Sequence, residues 1–202
     1  MSRALRPIGD VAGLPDYAFG PTSVGWWGVI GFVLIEGMGF VLAIGAYYYL
    51  LHNEVRWPPD ASPPPLGWAT AFVLTGLCSE VPNYLVGRMA KAQRLHAVRW
   101  GLVLMVLLGL LMLALRGFEL HALNVRWDRN AYGSIVWALL VLHTFHAITD
   151  VFDSMVLAAL SWCKHMDGRR YADVADNALY WHFIVWSGAG LYLVIYWTPR
   201  WL

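Results

Sequence analysis

Several ionisable side chains lie inside apolar stretches of this sequence, where an ionisable group costs at least about 3 kcal/mol unless it has a partner. They are Glu36, Glu80, His143, His146, Asp150, Asp153 and His182. Neighbouring carboxylates and imidazoles can hydrogen-bond between helices, bind a haem or a metal ion, or carry protons through part of a membrane. The residue types favour interhelical hydrogen bonding and leave the other two chemistries open.

Four of these side chains follow one another at intervals of three, four and three residues: His143, His146, Asp150 and Asp153. This spacing places all four on one face of a helix. A polar face turned to lipid would be costly, so we expect it to point at protein.

The depths of these groups follow from a rise of about 1.5 Å per helical residue. Glu36, Glu80 and His143 fall at similar depths, and we expect them to meet near the middle of the membrane. His146 and His182 should lie about one turn nearer the cytoplasm, and Asp150 and Asp153 near the cytoplasmic interface. These seven groups form the predicted buried polar network.

The spacing of these residues does not build a complete cofactor site. No two helices carry the paired ligand pattern of a di-iron bundle, and no paired histidines are spaced for two haems. Cys78 and Cys163 are too far apart in sequence to read as a metal motif or a disulfide framework. We therefore expect no catalytic residue and no metal site in this chain.

The composition specifies the kind of protein that must position these groups. Of 202 residues, 59% are hydrophobic and 13% are charged, whereas a soluble domain is about one-quarter charged. The mean hydropathy is +0.52. These values exclude a soluble enzyme, a disordered chain and a disulfide-rich secreted domain. The net charge of +1 argues against a nucleic-acid partner.

Runs long enough to cross a membrane as helices predict an all-α bundle of five transmembrane helices. We expect a polar segment over residues 1–23 and a single transmembrane domain over residues 24–202. The first run is too long for the apolar core of a signal peptide, so we expect it to remain as an anchor. The predicted spans are Val24–Leu51, Trp68–Val86, Trp100–Leu115, Tyr132–Trp162 and Ala178–Thr198.

Lysine and arginine predict the orientation, because they are enriched on the cytoplasmic side. One side carries Arg3, Arg6, Arg88, Lys91, Arg94, Arg99, Lys164, Arg169 and Arg170; the other carries Arg56, Arg116, Arg126, Arg129 and Arg200. We expect a cytoplasmic N-terminus and a periplasmic C-terminus. The second-to-third loop cluster marks topology and is also a candidate for anionic lipid headgroups; its members are Arg88, Lys91, Arg94 and Arg99.

The order of motifs resembles subunit III of the haem-copper terminal oxidases, the cytochrome c oxidase subunit 3 family, in its five-helix form. The similar pieces are the first span with its Glu followed by aromatic residues, "WPP", "FEL", the "GS…HxxH" helix and "YWHF". The resemblance places family positions on Glu36, Trp57, Pro58, Pro59, Glu119, His143, His146, Trp181 and His182. The chain departs from the family pattern at Thr144, Asp150 and Val185, and Glu80 and Asp153 have no family counterpart.

The resemblance implies a non-redox accessory subunit of a proton-pumping oxidase of aerobic respiration. It implies subunits I and II as partners, haems and copper in those partners, bound phospholipid and a bacterial plasma membrane location. The implied role is to stabilise the catalytic subunit, bind lipids and support proton uptake.

Two alternatives remain from the residues alone. The first is a stand-alone membrane redox protein that binds haem through His143, His146 or His182. The second is a small proton-coupled transporter built on Glu36, Glu80 and the polar face of the fourth span.

Overall fold

Long apolar runs separated by proline-rich and polar links fold here into five long helices. A computed structural model describes residues 17–59, 61–163 and 166–202, and within these ranges all regular structure is helical. The helices are α1 (Val24–Asn53), α2 (Leu66–Lys91), α3 (Leu95–Ala122), α4 (Ala131–Cys163) and α5 (Gly168–Tyr192). A π-helical turn over Leu193–Trp197 continues α5 into the short α6 (Thr198–Trp201), and a 3₁₀ turn over Gly20–Thr22 precedes α1.

Local chemistry sets where the helices begin and end. Prolines 58, 59 and 63–65 stop helix formation between α1 and α2. The side chain of Asn130 accepts a hydrogen bond from the Gly133 backbone N–H at 2.8 Å, which caps the start of α4. The side chain of Asp167 caps α5 by accepting from the Arg170 N–H at 3.1 Å. Pro199 cannot donate to the turn before it, and the widened π turn lies there.

Four helical stretches have the length and composition of membrane spans: Val24–Asn53, Leu95–Ala122, Ala131–Cys163 and Gly168–Trp201. The chain is therefore a multi-pass membrane protein, and the prediction of an all-helical membrane bundle is confirmed at this level. Helix α2 is long as well, but it carries Glu80, Arg88 and Lys91 and is less apolar than α1, α3 and α4.

Helix α3 differs from its predicted bounds in a way that matters for the site. The prediction of Trp100–Leu115 ended at the first charged residue, whereas the helix continues to Ala122. Arg116, which we counted among the basic residues of the outer side, is buried, with 3% of its surface exposed. Glu119, three positions later, compensates its charge inside the bundle.

Helix α5 also starts earlier than predicted, at Gly168 and about three turns before Ala178. The prediction required an apolar run, but these first turns are amphipathic. Tyr171 and Val174 are buried on one side, and Asp173 remains on the other.

The helices pack around two apolar clusters, one toward each end of the bundle. Helix α1 contributes least, with only Phe40 and Tyr47 buried among its residues. Glycines allow close approach elsewhere. A Cβ at Gly109 of α3 would lie 2.5 Å from Val151 of α4 and 3.2 Å from Trp181 of α5.

We predict that Gly109→Ala lowers the stability of the bundle by about 1–3 kcal/mol, because the added methyl must displace packed side chains. The matched control is Gly117→Ala on the same helix, where a Cβ meets nothing within 4 Å. The control should be neutral or slightly stabilising, since alanine favours helix more than glycine does. Thermal unfolding of both variants in detergent would measure the difference. Equal midpoints would show that α3 and α4 do not pack closely here.

Candidate functional site

The most deeply buried ion pair in the described residues lies within α3. Arg116 Nη1 lies 2.8 Å from Glu119 Oε2, and both side chains are at most 4% exposed. Tyr196, in the π turn, donates a hydrogen bond of 2.6 Å to the other carboxylate oxygen of Glu119. The Arg116 guanidinium also lies 3.9 Å above the ring of Phe72 in α2, an additional cation–π contact. Together these contacts connect α2, α3 and the end of α5.

His143 joins this network from α4. Its Nε2 lies 2.9 Å from the carbonyl oxygen of Ile184 and therefore donates the hydrogen. Its Nδ1 is then free to accept from Arg116 Nη2 at 3.2 Å. The backbone of Gly188 approaches the imidazole so closely that a Cβ there would lie 2.9 Å from Nε2. His143 is thus a neutral link between α3, α4 and α5.

A second network lies nearer the N-terminal end of α1. Tyr180 of α5 donates a hydrogen bond of 2.5 Å to Glu36, and His146 Nε2 lies 3.5 Å from the other carboxylate oxygen. His146 Nδ1 donates to the Leu142 carbonyl at 2.7 Å. The contact between Nε2 and Glu36 therefore needs a second proton, carried by the imidazole or by the carboxyl group.

Phe40 divides these two networks. Its ring centroid lies 6.0 Å from that of His143 and 5.3 Å from that of His146, and only 4% of the residue is exposed. Glu36 and His143 therefore belong to different networks, although they lie at similar depths.

An amide holds the next two carboxylates together. Asn177 Nδ2 donates to Asp150 at 3.1 Å and to Asp153 at 3.0 Å. Its carbonyl oxygen accepts from Ser154 at 3.2 Å. The second carboxylate oxygen of Asp150 is buried without a hydrogen-bond partner in the described residues.

Glu80 forms a separate pair with His182 Nδ1 between α2 and α5. The expectation that Glu80, Glu36 and His143 meet is therefore wrong, because their helices present them to different neighbours. Glu80 faces α5, Glu36 faces α4 and α5, and His143 faces α3 and α5.

The four side chains of the predicted polar face of α4 also differ in their surroundings. His143 and Asp150 are buried, His146 is 15% exposed at its side chain, and Asp153 is exposed. The expectation that all four point at protein is wrong for Asp153, which lies in a groove that α1 leaves open.

Other residues singled out by the motifs have structural partners. Trp57 donates to the Tyr47 hydroxyl at 2.8 Å, and Trp181 donates to Ser79 at 2.8 Å. Pro58 and Pro59 lie in the link after α1, beside Trp57. Arg99 donates to the Ser161 carbonyl at 2.6 Å.

Sequence reasoning missed several participants: Arg116, Asn177, Tyr180 and Tyr196. The spacing of Arg116 and Glu119 by three residues was an available signal, since such pairs meet on a helix. The two tyrosines carried no such signal, because their partners are distant in sequence.

The histidine environments bear on the haem alternative. Both ring nitrogens of His143 are engaged, and its imidazole is enclosed by Phe40, Phe72 and Gly188. His146 uses Nδ1 on its own helix. Within the described residues, no three His, Cys, Asp or Glu side chains form a metal-binding group.

Comparison with known proteins identifies relatives across most of the chain. Cytochrome c oxidase subunit 3 of Lumbricus terrestris is 25% identical over 179 residues, which cover 85% of this chain and 69% of the relative. The Coturnix japonica protein of the same name is 24% identical over 186 residues, covering 85% and 68%. That of Marchantia polymorpha is 22% identical over 182 residues, covering 85% and 67%. No family model matches. These relatives confirm the resemblance inferred from the motifs.

We predict that removing either partner of the Arg116–Glu119 pair destabilises the bundle by about 3–5 kcal/mol, because the other charge is left buried alone. Arg116→Met combined with Glu119→Gln should cost less than Arg116→Met alone. Unfolding of the wild-type protein, the two single variants and the double variant in detergent gives the coupling energy. Additive effects would contradict a direct pair.

We also predict that Glu36→Ala weakens folding more than Glu36→Gln, because the amide keeps an acceptor for Tyr180 whereas alanine leaves the hydroxyl unpaired. Tyr180→Phe is the matched variant on the other partner, and it should have no further effect in the Glu36→Ala background. The yield of folded protein and its melting temperature report both comparisons. A large Tyr180→Phe effect in that background would show that Tyr180 bonds elsewhere.

Proposed function

We propose that this chain, which is similar to cytochrome c oxidase subunit 3 over most of its length, is the non-redox accessory subunit of a proton-pumping haem-copper terminal oxidase. Subunit I would be its main neighbour and subunit II part of the same complex, in a bacterial plasma membrane. Haems and copper would reside in those partners, and electrons would not pass through this chain. The observation that carries the proposal is the similarity to curated subunit 3 proteins over 85% of the chain.

The polar networks support a stabilising role in place of a redox role. Hydrogen bonds join α3, α4 and the π turn after α5, and they are made by Arg116, His143 and Tyr196. A buried, hydrogen-bonded network rigidifies a bundle, and a rigid bundle presents a constant surface to a neighbouring subunit.

We propose that α2 is the fifth span, although it is less apolar. It packs between α3 and α5, both of which have the composition of membrane spans. Its 26 residues would extend about 39 Å as a helix. Its one acidic residue, Glu80, is paired with His182 and so does not face lipid alone.

The basic end of α2 supports phospholipid binding. Arg88 and Lys91 line a cavity of about 230 Å³ between α2 and α5, together with Tyr84 and Trp26. Positive charge beside aromatic side chains at a membrane surface suits an anionic headgroup. Arg94 begins α3 beside this end, whereas Arg99 is already bound to the Ser161 carbonyl.

Carboxylates at the same end of the bundle support a role in proton uptake. Asp150, Asp153, Asp173 and Asp176 line one groove with Glu36. Acidic groups at a membrane surface raise the local concentration of cations, protons included.

We predict that a cysteine placed at Ser62 or Arg126 reacts with a membrane-impermeant thiol reagent on intact spheroplasts, and that one placed at Lys91 or Arg169 does not. The reason is the excess of lysine and arginine on the side of the second-to-third link. Cys78 and Cys163 are exposed and must first be replaced by serine. The reverse labelling pattern would contradict the proposed orientation.

We predict that the affinity-tagged chain co-purifies with subunit I and with the haem absorbance of the oxidase.

Oxidase stripped of this chain should still reduce oxygen at first and then lose activity over many turnovers faster than the intact complex. Oxygen consumption at two pH values measures both, and the difference should grow at the higher pH, where protons are scarcer. Haem absorbance that stays with the isolated chain would contradict the proposal and favour a redox protein.

A further inference from the structure

An acidic groove with a volume of about 690 Å³ lies between α1, α4 and α5. Its polar lining comes from α1, from α4 and from α5: Glu36, Asp150, Asp153, Asp173, Asp176 and Tyr180. Apolar walls flank it, including Phe32 of α1 and Val156 of α4.

The carboxylates of the groove are arranged by depth. Asp176 lies against Gly25, at the beginning of α1 and next to Trp26. Glu36 lies about three turns further along α1, or about 16 Å deeper. Asp150 and Asp153 meet Asn177, one turn of α5 after Asp173 and one turn before the Tyr180 that binds Glu36. Acidic groups therefore occur at each level from the helix ends to the middle of the bundle.

Asp150 indicates that the groove holds something that the chain itself does not supply. The residue is 2% exposed and lines the groove, and its second carboxylate oxygen has no hydrogen-bond partner in the described residues. A buried polar oxygen without a partner costs about 1–3 kcal/mol. A water molecule or a cation in the groove would satisfy it.

The basic groups near the groove are confined to its mouth. Among the described residues, no lysine or arginine lines the groove, and the Asp150, Asp153, Asp173 and Asp176 carboxylates form no ion pair. Arg169 lines the adjoining cavity at the start of α1. Arg170 of α5 and Lys91 of α2 act on Asp173 and Asp176 only at longer range.

The inner end of the groove is closed. Glu36 is bound by Tyr180 and faces His146, and beyond them Phe40 fills the space up to His143. The acidic path thus ends at the contact between Glu36 and His146, and no described hydrogen bond continues it to the Arg116 network.

We propose that this groove is a hydrated, cation-selective vestibule that admits water and hydrated protons from the surface at Gly25 and ends at the Glu36–His146 pair. The unbalanced carboxylates attract cations and repel anions. Water in the groove solvates charges that would cost about 3 kcal/mol each in lipid. The vestibule deepens the proposed role in proton uptake, and it depends on the proposed orientation only for the side on which it opens.

The test is cysteine accessibility in the intact complex in membrane vesicles of both orientations, with Cys78 and Cys163 replaced by serine. The probes are a methanethiosulfonate bearing an ammonium group and one bearing a sulfonate group. Phe32→Cys places a thiol in the groove. Leu34→Cys is the control, because Leu34 is 68% exposed on α1 but lies outside the groove lining, about 200° around the helix.

We expect Phe32→Cys to react with the ammonium reagent at least tenfold faster than with the sulfonate reagent, after correction for their intrinsic rates, and Leu34→Cys to react with neither. Asp150→Asn with Asp153→Asn should reduce that preference at least threefold while the thiol stays reactive.

Equal reaction with both reagents would overturn the proposal. An unreactive Phe32→Cys would also overturn it and would mean that lipid or a partner helix fills the groove. Reaction only from the opposite side of the membrane would support the vestibule and contradict the orientation alone. Loss of haem co-purification with the labelling pattern intact would contradict the proposed function alone.

Discussion

A buried arginine needs several partners at once, and in this protein that need determines how the helices meet. Arg116 draws a carboxylate from its own helix, an imidazole from α4 and an aromatic ring from α2. Glu119 in turn takes a hydroxyl from the π turn. Each partner lies on a different element, so moving any one helix would leave a charged or polar atom unpaired in an apolar bundle. Such an atom costs several kcal/mol, and the network therefore fixes the arrangement of α2 to α5 more specifically than apolar contacts alone would.

The second network has a different character. Glu36, His146 and Tyr180 are partly exposed, and the acidic residues around them exceed what the described side chains can compensate. A structural subunit needs a hydrogen-bonded core that holds its helices together and a surface that remains open to other molecules. The Arg116 network supplies the first, and the groove beside Glu36 supplies the second.

The sequence predicted the helices well because apolar length is a local property. It located α1 and α4 within two residues, and it identified Glu36, His143 and Asp150 as groups that need partners. Sequence reasoning failed where the position of a side chain depends on its hydrogen-bond or ion-pair partner. Arg116 was placed outside because a charge ended the apolar run, although Glu119 three residues later compensates it. Tyr180 and Tyr196 were missed because nothing local in the sequence shows that their hydroxyls reach Glu36 and Glu119. The early start of α5 was missed because its first turns are amphipathic, and a membrane span was predicted only from a continuous apolar run.

The sparse attachment of α1 has a consequence for biosynthesis. Glu36 is made early, but the tyrosine that binds it follows 144 positions later in the chain. During translation α1 must wait in the bilayer or at the translocation machinery with this carboxyl group unpartnered, whereas Arg116 meets Glu119 at once and His143 after a separation of only 27 positions. The helices between α2 and α4 can therefore assemble while synthesis continues. Helix α1 is then made before α2 to α5 but completes its contacts only when α5 is present, and a ribosome stalled before residue 180 would leave Glu36 without its tyrosine partner.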